Sequence, residues 1–551
     1  MAITESMGIT AMASHPPENC QSGNKLDHKY GFCRQSLTLG LLLLYAVPAA
    51  AGVWEIIPRA SVAEIYTDNI DLEPENEQKA LITEVTPGIN ITGRGGRFEA
   101  TLDYQMQNFI SNEFSDYVST THLLDADSTT ELADNFFFFD AGARAGQAII
   151  NADDTISLSN YNDNRNRTNV FSYTLSPYIR PHFSDYADGT LRYSHSEVKY
   201  EESSSSNNTN RTGANDSTIT RIDANLVSGR FFKGTSWFAN YSNREVSRDS
   251  SADDTFEDAD GEVRHRISNT FSLVGQGGWV NNDFQSNNNN VDNGTYWAVG
   301  GFWQPSRFYS FEALTGKNLT TATLGLYPTV RTELLITYRD RDVGLNRGEV
   351  WSGRFTHRTR RTNWSAGYLE DTTTTQEQEL LAGQGFLAVD PITGEVNPNP
   401  QPGDVVVNVP LPPVVSLTDE VTERKRAFGS VGVNTGKTGI RVNIFHEQRD
   451  FQESGDDETT KGFSGSWDWR FAPRTNWILT GSWQRIERED NISTGTNAAD
   501  RDFWYIQPQI RRQIRTYLDG SVAYRFIRQD SDDDRNDYDE NSVIVRITAY
   551  F

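Results

Sequence analysis

From Val53 onward the chain alternates between apolar and polar positions. Phe463, Gly465, Trp467, Trp469 and Phe471 are interleaved with Ser464, Ser466, Asp468 and Arg470. One face of that segment is therefore a broad apolar stripe and the other carries hydrogen-bonding groups, the period-2 pattern of a strand. Beyond Pro473, Trp477, Leu479, Gly481 and Trp483 repeat the scheme, and the stretch from Asn541 to Phe551 does so again. There Val543, Val545, Ile547, Ala549 and Phe551 share one face, with Ser542, Ile544, Arg546, Thr548 and Tyr550 on the other. At the opposite end the pattern predicts strands from Trp54 to Asp68, Ala80 to Thr92 and Phe98 to Ile110, with a tight turn at Gly93-Arg94-Gly95-Gly96.

The connections also alternate. Short turns are predicted at Asp185 to Gly189, Gly229 to Gly234, Ser268 to Thr270, Pro305 to Arg307 and Val330 to Thr332. More follow at Arg360 to Thr362, Gly436 to Gly439, Ala472 to Arg474 and Arg511 to Arg515, each with turn formers or a basic residue. Between them lie longer polar connections beginning at Asn151, Glu202, Asp249, Gln285, Glu453 and Gln529. Short turns at one end and long loops at the other are the asymmetry of a transmembrane barrel. The expected fold is thus all-β: an antiparallel up-and-down barrel of about 24 strands, 22 being the other even count the pattern allows. An even count puts both barrel ends on the periplasmic side. A phenylalanine such as Phe551 on the lipid face of a last strand resembles the signal read by the barrel assembly machinery.

Leu37 to Val47 is the longest continuous apolar run, too short for a membrane helix and of the length of a signal-peptide core. It follows Lys25, Lys29 and Arg34 and precedes Ala49-Ala50-Ala51. Residues 1–51 are therefore expected to be a removed leader and residues 52–551 the barrel. Both cysteines, Cys20 and Cys33, precede that boundary, so the barrel's own hydrogen bonds must do what disulfides do in other secreted chains. Mean hydropathy is only -0.60, yet aromatics make up 11% of the chain. That combination fits alternating strands with interfacial aromatics and argues against disorder. A net charge of -25 excludes nucleic-acid partners as the expected class, leaving outer-membrane lipid as the first partner.

One connection differs from the rest. Leu381 to Thr418 is proline-rich between Pro391 and Pro413 and carries Val405-Val406-Val407 and Leu411 to Val415. An apolar loop packs on something. Either it folds into the barrel mouth, where a lumen of this size needs filling, or it docks on a partner.

Candidate chemistry is sparse. His446 beside Glu447 and His195 between Ser194 and Ser196 are the two possible dyads, but neighbours in a strand point to opposite faces. Catalysis is not expected, and the sequence gives no catalytic, cofactor-binding or metal-binding set. Asp258-Ala259-Asp260-Gly261 lacks the full spacing of a calcium loop, although acidic outer loops suit divalent cations in type. The functional set expected instead is a lumen lining of Arg354, Arg358, Arg441, Glu447, Asp468, Arg470 and Arg525, whose charges would tune which solutes pass. Tyr296 and Phe302, opposite the Trp297 and Trp303 face, are candidate stacking platforms for sugar rings.

Five segments carry a family resemblance. They are VWEIIPRASVAEIYTDNIDL from Val53, ITEVTPGINITGRGGRFEATLDYQMQ from Ile82, GGWVNNDF from Gly277, GTYWAVGGFWQPS from Gly294 and RRTNWSAGYLEDTTTTQ from Arg360. In these the chain resembles the outer-membrane proteins associated with the PEP-CTERM/exosortase system, which accompany exopolysaccharide loci in Gram-negative bacteria. It departs from them in a hairpin-like stretch from Leu319 to Gly348 and in Ser306-Arg307 where Pro-Arg is usual. The resemblance implies an outer-membrane barrel working with exopolysaccharide and its export proteins. Two roles stay open: a channel or export component for a polar polymer or solute, and a non-conducting scaffold that anchors surface polysaccharide or sorted proteins. A barrel enzyme acting on lipid or polysaccharide is the weaker third.

Overall fold

The computed structural model describes residues 52–111, 118–152, 154–162, 166–201, 215–249, 252–286, 292–381, 386–389, 396–397, 405–408, 417–489 and 500–551. The leader expected for residues 1–51 lies outside them, as do residues 202–214 of the loop after Glu201 and the prolines of the Pro391 to Pro413 stretch.

The first eight wall strands are β1 (Val53–Thr67), β2 (Ala80–Arg94), β3 (Phe98–Ser111), β4 (Val118–Ala133), β5 (Phe137–Ile149), β6 (Arg167–Ile179), β7 (Ala187–Tyr200) and β8 (Ser217–Ser228). The next eight are β9 (Thr235–Arg248), β10 (Asp254–Arg266), β11 (Phe271–Asp283), β12 (Gly294–Ser306), β13 (Tyr309–Lys317), β14 (Leu319–Thr329), β15 (Thr332–Arg341) and β16 (Gly348–Arg358). The last are β17 (Thr362–Thr374), β18 (Val421–Asn434), β19 (Thr438–Phe451), β20 (Asp457–Ala472), β21 (Thr475–Glu489), β22 (Arg501–Arg515), β23 (Leu518–Ser531) and β24 (Tyr538–Tyr550). All belong to one sheet of 25 strands, the extra one being the two-residue piece His182–Phe183. Each pairs antiparallel with the next, and β1 pairs with β24 from Arg59 opposite Tyr550 to Thr67 opposite Ser542. The sheet therefore closes on itself and has no edge strand. Twenty-four strands spaced about 4.8 Å apart and tilted about 40° would enclose a circle roughly 48 Å across.

Alternation decides which side chain meets lipid. In β24, Val543, Val545 and Ile547 are exposed outward while Ser542 and Ile544 are buried inward. In β20, Phe463, Trp467, Trp469 and Phe471 are exposed. All twelve tryptophans stand on the outward face of their strands, in two tiers. Trp54, Trp237, Trp303, Trp364, Trp467, Trp469 and Trp477 lie toward the short turns, and Trp279, Trp297, Trp351, Trp483 and Trp504 toward the long loops. Two aromatic girdles around an apolar band are what the two interfaces of a bilayer select. The protein is an outer-membrane β-barrel, with its short turns in the periplasm.

Several local expectations shift. The Leu319 to Gly348 stretch supplies β14 and β15, an integral hairpin that brings the count to 24. The last short turn falls at Thr516–Tyr517, after Arg515, because β22 continues through that arginine. A turn at Asp134 to Phe136, between β4 and β5, was not anticipated. The acidic run from Asp249 becomes strand at Asp254, and the run from Gln529 is strand except for residues 532–537. Asp258 and Asp260 are thus buried wall residues, where a loop-borne cation site had been considered.

Candidate functional site: the lumen and its outer seal

The outer half of the lumen is filled by the chain's own connections. Of the β5–β6 connection, residues 150–152, 154–162 and 166 turn inward instead of standing in solvent as their polar composition suggested. Ala152, Ile156, Ser157, Ser159, Tyr161 and Asn162 are all buried. The Tyr161 hydroxyl donates to Glu540 at 2.8 Å and lies 3.2 Å from the Ser542 hydroxyl. Asn162 donates to the Ile70 carbonyl at 3.1 Å, and the Ile156 amide donates to Gln529 at 3.0 Å. Burial, and next the Glu540 carboxylate, push the Tyr161 phenol above its ordinary range, so it stays a donor. Tyr161 also packs in an apolar cluster with Ala63, Ile65, Ile82, Phe109, Ala523 and Ile544. That cluster joins β1–β3 to β23–β24, so the loop lies across the seam where the first and last strands meet.

The second infolded segment leaves the top of β17. Thr374 and Glu377 form a capping box: the Thr374 amide donates to Glu377 Oε2 at 3.2 Å and the Glu377 amide to Thr374 Oγ1 at 3.4 Å. They start the short helix α1 (Thr375–Leu381), which leans across the lumen. Glu377 pairs with Arg244 of β9, both buried. Arg144 of β5 donates to the Leu380 carbonyl at 2.7 Å. On the return path the Leu417 amide donates to the Ile150 carbonyl at 3.0 Å, and Leu417 packs with Val170, Val198 and Tyr200. Gln376 donates to Asp419 at 2.7 Å. In between, Phe386–Val389 pairs with Val396–Asn397 and with Val405–Asn408 in a small separate sheet.

A third piece, residues 342–347 between β15 and β16, places Leu345 between Phe256 of β10 and Val421 of β18. Strands eight apart would stand roughly 40 Å from each other in a circular barrel of this size. Here one apolar cluster joins them, so the two sides approach each other at the outer end and the barrel departs from a circle there.

Ion pairs lock the closed end. Arg424 grips Asp371 through two nitrogens at 2.9 and 2.5 Å. Glu447 sits between Arg426 and Arg449, and Arg449 also reaches Glu458 at 3.3 Å, which meets Arg488 at 3.4 Å. Arg248 pairs with Asp254 at 2.6 Å. All these groups are within a few residues of the long-loop ends of their strands.

The periplasmic half is different. Arg358, Arg441, Asp468 and Arg470 face inward and are exposed. Arg354 pairs with Glu333 at 2.6 Å, half-buried. Arg192 covers the Tyr178 ring at 3.8 Å and pairs with Asp140 at 2.7 Å. The lower lumen is polar and accessible.

The structure thus splits the expected lumen set between two levels. Arg354, Arg358, Arg441, Asp468 and Arg470 line the lower chamber, Glu447 is locked in the outer arginine network, and Arg525, which also donates to Gln507 of β22 at 2.9 Å, holds the infolded loop through Ser159. Tyr296 is not a sugar platform: it is buried with Val280, Leu319 and Val343. The Phe302 ring is covered by the Arg264 guanidinium at 4.7 Å. The possible dyads come apart, His195 and His446 pointing outward while Ser194, Ser196 and Glu447 point inward. Sequence reasoning missed Glu377, Tyr161 and Glu540. The Thr-x-x-Glu capping signature at Thr374 was available for the first, and nothing local marked the others.

No protein-family model matches the chain, and no curated protein does. Among solved structures it is similar to the FrpB iron transporter from Neisseria meningitidis (F5-1 variant), at 12% identity over 90% of this chain and 82% of that one, TM-score 0.42. It is also similar to the siderophore receptor PirA from Acinetobacter baumannii, at 9% identity over 90% and 80%, TM-score 0.44. Neither likeness carries a functional reading for this chain.

Proposed function

We propose that the protein is a gated outer-membrane conduit for a polar polymer or solute, held shut at its outer face by its own loops. On the resemblance stated above, it serves an exopolysaccharide and PEP-CTERM protein-sorting system. The observation that carries this reading is the division of the lumen: an accessible polar chamber below, and above it segments held by side-chain ion pairs and hydrogen bonds. Such contacts can exchange with water and release the segments without disturbing the ladders of the wall. The apolar clusters in the seal, around Leu345 and Leu417, favour a second reading in which the barrel never opens and serves as a scaffold for surface polymer.

Single-channel recording separates the two. Because Thr374 and Val421 are paired neighbours at the tops of β17 and β18, residues 375–419 can be replaced by a short turn that keeps the wall intact. The conduit predicts steps of current from the replaced form and rare openings from the intact one. Silence in both forms, with the barrel shown folded by heat-resistant mobility, sinks the conduit and leaves the scaffold.

A further inference from the structure

The lumen wall is charged asymmetrically around its circumference, and the arrangement names a substrate class. In the lower chamber, β15–β20 present Arg354, Arg358, Arg441 and Arg470 inward, against Glu333 and Asp468. Higher on the same wall come Arg339, Arg341, Arg424, Arg426 and Arg449, against Asp371, Glu447 and Glu458. Arginines therefore run from the periplasmic rim to the seal along one side, in a chain whose net charge is -25. The opposite wall is richer in carboxylates, although Asp103 is paired with Arg59 of β1 and Asp140 with Arg192 of β7. On β3–β5 the inward charged residues of the lower chamber are Glu99, Asp103, Asp125, Asp127, Glu131 and Asp140, with Arg144 as the arginine of those strands. β4 and β16 are twelve strands apart, half the circuit, so the two walls face each other. Asp125 and Asp127 keep about 60% of their side-chain surface exposed, at 62% and 60%.

We infer that the arginine wall is the binding track for a polyanion, and specifically for a carboxylated sugar polymer such as a polyuronate. This deepens the conduit reading and rests on it. Guanidinium forks match carboxylates geometrically, and the acidic wall opposite repels the same chain, holding it to one side. Within that wall Asp371 pairs with Arg424, Glu447 with Arg426 and Arg449, and Glu458 with Arg449, through the functional group an acidic sugar would offer. Polymer carboxylates arriving from below can compete with these wall carboxylates for the arginines one at a time.

The test is binding of fluorescein-labelled hexagalacturonate to the detergent-solubilised full chain by fluorescence anisotropy, with labelled maltohexaose as the neutral control. Hexagalacturonate is expected to bind at least about tenfold more tightly than maltohexaose and to weaken with added salt. Combining Arg358→Gln, Arg441→Gln and Arg470→Gln, all exposed positions whose change spares the fold, is expected to weaken hexagalacturonate binding about tenfold or more. Asp125→Asn with Asp127→Asn is expected to strengthen it. Equal affinity for the two hexasaccharides, or an unchanged affinity in the triple variant, overturns the inference. Failure of the conduit reading looks different: a bilayer that stays silent after loop replacement while hexagalacturonate still binds the arginine wall.

Discussion

Glu377→Gln is the sharpest perturbation of the seal. The substitution keeps the side chain's shape and hydrogen-bonding capacity, so α1 can still be capped, but it removes the carboxylate facing Arg244. The Glu377 and Arg244 side chains expose only 8% and 1% of their surface, so the substitution takes a carboxylate away from a buried guanidinium. Removing one partner of a buried pair costs about 3–5 kcal/mol. Arg244 keeps its stacking on Phe256 at 4.0 Å, which argues for the lower end, about 3 kcal/mol. If that cost is relieved by undocking α1 into water, the ratio of open to closed barrel rises about 100-fold, at 1.4 kcal/mol per decade. Open probability in a planar bilayer reads this directly, with Arg94→Gln at an exposed periplasmic turn as the control. An open probability within twofold of the parent, in a variant whose thermal unfolding midpoint has fallen, would refute the reasoning. The pair would then be holding the wall together and not holding the gate shut.

Other outcomes can be checked alongside. Burial raises the pKa of the Glu379 carboxyl on α1, so the docked state binds a proton more readily than the undocked one. Docking is then fully supported at acidic pH and weakens as pH climbs from the ordinary carboxylate range through the raised value; conductance should grow from pH 5 to 8, and Glu379→Gln should flatten that dependence. Tyr161→Phe removes the donor to Glu540 and should cost about 1–3 kcal/mol, seen as a lower unfolding midpoint, whereas an unchanged midpoint would mean the seam does not need the loop. At Gly300 a Cβ would stand 1.9 Å from the Ala313 carbonyl oxygen, so Gly300→Ala should disturb the β12–β13 ladder and cost about 1–3 kcal/mol; wild-type hydrogen-exchange protection in that hairpin would contradict this.

The barrel was legible because its decisive contrast is local. Lipid and lumen faces alternate within a single strand, so Val543, Val545 and Ile547 declare their side without reference to the rest of the chain. The pattern failed where both faces are polar. Around Asp254 to Asp260 the wall residues Asp254, Phe256, Asp258 and Asp260 alternate with Thr255, Glu257 and Ala259, and that stretch passes for a solvated loop. The seal was illegible for a different reason. A loop rich in Asn, Ser and Asp has the same composition whether its partner is water or a polar lumen wall, and Tyr161 meets Glu540 across a sequence separation of 379 residues. Tyr296 shows the same limit: its face could be read, its cover could not.

The bonds of the β5–β6 loop to the far end of the chain also dictate an order of events during biogenesis. Ile156 and Tyr161 bind Gln529, Tyr538 and Glu540, over separations of 373 to 382 residues. None of those partners is in place until β23 and β24 have been laid down beside β1. Contacts of such range cannot nucleate anything, because their loop-closure entropy must be met before they return any stabilisation. The loop therefore acts on a barrel that has already closed, fastening the single junction between neighbouring strands that no hairpin connects. A molecule caught before that step would have a complete circle of strands and an unfastened seam, and for that interval the part of the bore beside β1 and β24 would lack its cover.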